Sequence, residues 1–152
     1  MPVPSSFPQI PSSKGLLGPA LLGFDPGRDK CGIAVMGLDR SLHYHEVVSA
    51  IGVVEKIQSL RDSYPISNIV IGDQTSSKQW RQKLETLPNA PRVIPVDERH
   101  SSLEARDRYW QMYPPKGPSK LIPQSLRSIP RPIDDIVAIL LIERYLKQLS
   151  GN

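Results

Sequence analysis

Three short apolar runs in this chain stop on a carboxylate. ALLGF (20–24) ends at Asp25, NIVIG (68–72) at Asp73, and RVIPV (92–96) at Asp97-Glu98. Brief apolar runs bounded by turn residues read as buried strands. CGIAVMG (31–37) and LHYHEVVSAIG (42–52) read as two more, and the short connections DPGRDK and LDRS favour successive antiparallel hairpins. Val53, Val54, Ile57 and Leu60 recur at helical spacing up to the Tyr64-Pro65 break, and Trp80, Leu84 and Leu87 do so up to Pro88. A capping box, Ser101-x-x-Glu104, predicts a third helix through about Met112. The segment IDDIVAILLIERYLKQL (133–149) predicts a last helix, apolar almost all round between 136 and 142 and therefore well buried. Asp134 and Asp135 at its start, with Arg144 and Lys147 near its end, suit the helix dipole.

The resulting order is β-β-β-α-β-α-β-α-α. It predicts an α/β fold with a mixed five-stranded sheet, in which strands one, four and five are parallel and strand two antiparallel. Right-handed crossovers then place the later helices on the sheet faces. That order matches the ribonuclease H-like three-layer architecture, a match of fold that assigns no function. The 152 residues suit one domain, over 20–152. Eleven of the sixteen prolines fall in residues 1–19 and 114–132. Residues 1–19 read as a disordered Pro/Ser-rich tail. They lack the apolar core of a secretory signal, and an organelle transit segment is the minority alternative. No run approaches the roughly 18 apolar residues of a membrane span, and the single cysteine excludes a disulfide scaffold. A soluble protein of a reducing compartment, the cytoplasm, is expected.

Ligands of open α/β sheets bind beyond the carboxyl ends of the parallel strands. Those ends carry Asp25, Asp73 and Asp97-Glu98 here, and the last helix starts at Asp134-Asp135. If that helix docks beside the same edge, four segments converge on one acidic spot. Alternation along a strand lets only one of Asp97 and Glu98 face it. Gathered carboxylates raise one another's pKa, and a hard cation relieves them. Oxygen-only ligation suits Mg2+ or Mn2+, and a pair of such ions can drive phosphodiester hydrolysis. Each acid alone is better explained by a turn or a cap; the coincidence of three strand ends and a helix start tips the balance.

The residues also carry a resemblance. FDPGRDKCGIAV (24–35), VDERHSSLEAR (96–106) and IDDIVA (133–138) resemble, in order and spacing, the three motifs of the YqgF/RuvX family. That family comprises Holliday-junction resolvase-like proteins and is also implicated in maturing the 5′ end of pre-16S rRNA. The similarity spans about residues 21–149. It implies that Asp25, Glu98 and Asp134 are catalytic and bind Mg2+ or Mn2+, two ions being the expectation. Asp134 is preferred to Asp135 because it keeps the spacing to Glu143-Arg144-Tyr145-Leu146. Ser102 stands where many members have Thr, which keeps the hydroxyl. Asp73, in IGDQT, stands where Gly-Leu-Pro is commoner, and is either a fourth ligand or a turn residue. The implied activity is a metal-dependent endonuclease acting on structured nucleic acid, pre-rRNA before a four-way DNA junction. A non-cleaving nucleic-acid-binding ribosome-assembly factor is the alternative from another class. An actin-type ATPase shares the D-x-G turn but needs two such domains. Resolvases act as symmetric dimers, so a homodimer is allowed, without a sequence signal for its interface.

Arg99 can clamp a phosphate bidentately or pair with Asp97, and the phosphate contact is expected. His100 can shuttle a proton or simply be exposed. His43 and His45 alternate on one strand face, but zinc lacks a third ligand there, and Cys31 reads as core. Residues 109–133 carry Lys116, Lys120, Arg127 and Arg131 without an acid, a local +4 equal to the net charge of the whole chain. Trp110 and Tyr113 open this segment, and six prolines keep it from regular structure. A mobile basic loop gripping a phosphate backbone and stacking a base is expected; a linker with its aromatics packed on the core is the alternative.

Overall fold

Burial runs almost unbroken along the first two strands, so both sheet faces must be covered. The computed structural model describes residues 18–74 and 76–151; the tail expected over 1–19 lies outside them up to residue 17. The strands are β1 (Ala20–Asp25), β2 (Lys30–Gly37), β3 (Leu42–Ser49), β4 (Ile66–Gly72) and β5 (Arg92–Val96), and their order in the sheet is β3-β2-β1-β4-β5. β1 is antiparallel to β2 and parallel to β4, and β4 is parallel to β5. This is the expected mixed five-stranded sheet.

The helices are α1 (Val53–Ser63), α2 (Ser77–Glu85), α3 (Ser101–Met112) and α4 (Asp134–Leu149). Leu22, Phe24, Ile33, Ile69 and Ile71 face α1 and α2, where Val53, Ile57, Leu60 and Leu84 complete one core. Their strand neighbours Leu21, Ala34, Met36 and Val70 face α4 and α3. Three layers result. Alternation fixes the next step: Asp25 follows Leu21 and Gly23 in phase, so it shares the α4 face.

α4 buries Ile136 through Ile142 without a break. Each such large side chain contributes about 1.5–3 kcal/mol on burial, so packing leaves the helix start no freedom to wander. A Cβ on Gly32 would meet the Asp134 carbonyl oxygen at 1.8 Å. Only glycine in β2 lets the α4 N-terminus rest directly on the sheet.

Three expectations are corrected. The capping box does not form: His100, at φ 61°, is the cap residue and makes no side-chain cap bond, while Ser101 is the first helical residue and is buried. Glu104 instead pairs with Arg144 of α4 at 3.0 Å, a tertiary contact displacing a local one. Residues 109–133 are not free of regular structure, since two 3-10 turns form at Gly117–Leu121 and Gln124–Leu126. His43 and His45 do not share a partner face. A register shift opposite Val35/Met36 falls between Leu42 and Tyr44, and such a bulge re-aims side chains. His43 lies against Tyr64, 6.0 Å between ring centres, while His45 meets Asp135. Cys31 is buried in the first core.

Candidate active site

Asp25, Glu98 and Asp134 line one cleft of about 410 Å3, together with Gln74, Ser101, Ser102 and Arg106. They come from the end of β1, the turn after β5 and the start of α4. Glu98 needs room that a side chain at residue 72 would take: a Cβ on Gly72 would lie 2.6 Å from its carboxyl group. The backbone N–H of Gln74 donates to Glu98 Oε1 at 3.0 Å, and the Glu98 N–H donates to Asp73 Oδ1 at 3.4 Å. Asp73 is exposed and does not line the cleft. It ties β4 to the turn that carries Glu98.

The Asp25 carboxyl is pushed up to about 8 by burial, then by the charges of Glu98 and Asp134 and a hydrogen bond with Asp134. Glu98 is also raised, chiefly by burial, against the opposing hydrogen bond from Gln74. Arg106 is the one cation lining this cleft among the described residues. Its Nη2 donates to the Arg127 carbonyl oxygen at 3.1 Å. Among the described residues no three His, Cys, Asp or Glu side chains already stand at the spacing of a ligand set. The donor set nevertheless fits a hard cation in type: three carboxylates, no nitrogen or sulfur, and a buried acid whose charged form lacks compensation.

Asp135 turns away from its neighbour. Its side chain is 3 % exposed, accepts from His45 Nδ1 at 2.7 Å and pairs with Arg131 at 2.9 Å. Burial alone would raise its pKa, but these two partners outweigh burial and hold it below the usual carboxylate value.

No family model matches the chain, and no curated protein sequence matches it. Solved structures do. The chain is similar to T. thermophilus RuvC in complex with a Holliday junction substrate, at 16% identity and a TM-score of 0.56, over 88% of this chain and 97% of that one. It is also similar to the large terminase nuclease from thermophilic phage G20c, at 16% identity and a TM-score of 0.50, over 81% and 80% of the two chains. The fold is ribonuclease H-like. At this identity the likeness speaks for the fold alone.

The structure places the other named residues as follows. Arg99 lies outside the carboxylate cleft: its Nε donates to Asp97 Oδ2 at 3.1 Å, and it lines a separate depression with His100, Glu104 and Arg144. Arg127 and Arg131 fold inward. Arg127 Nε donates to the Ser119 and Ile122 carbonyls, and its guanidinium lies 5.5 Å from the Trp110 ring centre. Arg131 lies 5.6 Å from the ring centres of both Tyr109 and Tyr113. Lys116 and Lys120 are exposed. Trp110 packs against the α3–α4 core, whereas Tyr113 is exposed.

Two residues escaped the sequence reading. Arg106 closes the second motif, one helical turn on from Ser102, a spacing that puts both on one side of α3, and the sequence reading gave it no role. Arg144 donates to the Asp97 and Arg99 carbonyl oxygens at 2.7 and 2.8 Å, clamping the turn on both sides of Glu98. The contact joins residues 45 and 47 apart in sequence, so no local pattern announces it.

Proposed function

We propose that this chain is a metal-dependent endonuclease acting on structured nucleic acid. The observation that carries the reading is the meeting of Asp25, Glu98 and Asp134 in one cleft, with the Asp25 carboxyl pushed up to about 8. Mg2+ or Mn2+ held by these three carboxylates would supply charge neutralisation at the phosphodiester and lower the cost of deprotonating a water. The chain's own groups do the rest. Gln74 and Asp73 hold Glu98 in register, Arg144 fixes the turn that bears it, and Arg106 stands where a phosphate oxygen would need a donor. The Ser101 and Ser102 positions complete the polar wall.

The motif resemblance favours maturation of the pre-16S rRNA 5′ end, and so ribosome biogenesis, as the biological setting. A second reading, resolution of a four-way DNA junction by a homodimer, is favoured by the RuvC neighbour, which is seen with such a junction. The test is a side-by-side cleavage assay on pre-16S 5′ leader RNA and a four-way DNA junction, with Mg2+ or Mn2+ and with Asp25→Asn as control. Metal-dependent product on either substrate, absent in the variant, supports the endonuclease and ranks the substrates. Tight, salt-sensitive binding without product would make the chain a non-cleaving assembly factor.

A further inference from the structure

A second cleft, of about 600 Å3, opens on the other side of the α4 N-terminus, against the edge strand β3. Lys30, His45, Val47, Arg131, Pro132 and Asp135 contribute to its wall. Hydrolysis at the first cleft uses none of them.

The wall is built around a buried carboxyl. His45 Nδ1 lies 2.7 Å from Asp135 Oδ2, which leaves Nε2 of the same ring without a partner among the described residues. A buried ion pair is a poor way to gain stability, since apolar groups of the same volume often do better. What this one provides is fixed placement of the His45 ring and the Arg131 guanidinium. The charges cancel: Asp135 against Arg131, and Glu46 against Lys56 at 3.3 Å. Asp29 and Lys30, one of each sign, are both exposed. A neutral cleft of this size, walled by Val47 and Pro132 with a few fixed polar atoms, suits a flat heterocycle better than a phosphate.

Its position names the source. Asp25 pairs with Gly32, and Gly32 with Val47, in one row across the sheet. Val47 is therefore two strand spacings, about 10 Å, from Asp25. Neighbouring nucleotides of one strand span that gap.

We propose that this cleft is a nucleotide subsite, taking an unstacked base of the strand whose phosphodiester lies at Asp25, Glu98 and Asp134. The proposal rests on the endonuclease reading for what occupies the first cleft. The base lies on Val47 and Pro132, its edge meets His45 Nε2 and the Arg131 guanidinium, and Lys30 meets its phosphate.

The full chain carrying Asp25→Asn, which keeps the strand whole, is titrated with the four-way DNA junction and with the RNA leader. Each carries 2-aminopurine at successive positions. Fluorescence should change severalfold at one position and not at its neighbours. Val47→Trp, which fills the cleft, should abolish that change and weaken binding about tenfold. Lys30→Ala, at an exposed residue that folding does not need, should weaken it about threefold. Circular dichroism checks that both variants are folded. A folded Val47→Trp chain with unchanged signal and affinity overturns the subsite, as does binding in which no position responds, or no binding to either nucleic acid. The parent chain cleaving normally while Val47→Trp changes nothing sinks the subsite alone. A position-specific signal lost in Val47→Trp, from a chain that cleaves neither substrate, sinks the endonuclease reading alone.

Discussion

Adjacent residues of one helix start, Asp134 and Asp135, face two different clefts and live under opposite electrostatics. Asp134 meets Asp25 and Glu98, with a single arginine, Arg106, on the same wall. Asp135 is enclosed by His45 and Arg131 and held ionised. One carboxylate is left short of positive charge and the other is fully supplied. The difference teaches which acid is available: a carboxylate with its counter-ions in place serves the fold, while a group of acids without them is poised for a cation that the chain does not provide.

The largest effect should come from the unsupplied group. Asp25→Asn or Glu98→Gln should cut the rate on the order of a thousandfold or more, with the circular dichroism spectrum and most binding retained. Variants that cleave as fast as the parent would remove the site assignment. Asp135→Asn should do the reverse and act on stability, by about 2 kcal/mol in urea unfolding, because it removes the charge that pairs with the partly exposed Arg131 guanidinium and the acceptor that His45 meets. The sign follows from the lowered pKa: the stabilisation is present above the unfolded-state value and fades as pH falls through the folded one. An Asp135→Asn deficit that persisted unchanged in acid would contradict the ion-pair account.

Asp25 gives the opposite slope. Between its unfolded value near 3.8 and its folded value of about 8, the folded chain keeps a proton that the unfolded chain has lost. Stability should therefore fall as pH rises across that window. Asp25→Asn should flatten the slope and be the more stable chain at pH 8, by about 1–2 kcal/mol once solvent screening is allowed for. Melting curves from pH 4 to 8 in chelator measure this, and a parallel fall in both chains would refute it. The smallest effect separates the basic residues. Lys116→Gln with Lys120→Gln should lower the salt slope of nucleic-acid binding by about 1.5–2 and leave stability alone. Arg127→Gln should instead lower the melting temperature, since its guanidinium serves the Ser119 and Ile122 carbonyls. An equal drop in salt slope for Lys116→Gln, Lys120→Gln and Arg127→Gln made singly would return these three residues to one common role.

The strands and helices were legible because each is a local pattern. The apolar runs ending at Asp25 and Val96 and the buried stretch of α4 begin and end within a residue or so of where their periodicities do. Where local chemistry and tertiary contact competed, the local reading lost. Ser101 and Glu104 spell a capping box, yet Glu104 pairs with Arg144 of α4 and not with its own helix end. Arg127 and Arg131 look like free charge in a run without acids, but rings and carbonyls from neighbouring segments absorb them. Arg99 keeps the local partner that the sequence also offered, Asp97, on an exposed side chain.

By itself the sequence determined the order of elements, the three-layer α/β class and the acids that could meet at one sheet edge, because hydrophobic periodicity and strand-end turns act over a few residues. Only the tertiary structure decided which acids do meet. Gly32 and Gly72 are ordinary in the sequence, but in the fold they admit the α4 N-terminus and the Glu98 carboxyl at distances no side chain would allow. That close approach, and the roughly 100° of helical turn between Asp134 and Asp135, divides two identical side chains into one that shares a single arginine with two other acids and one enclosed by His45 and Arg131.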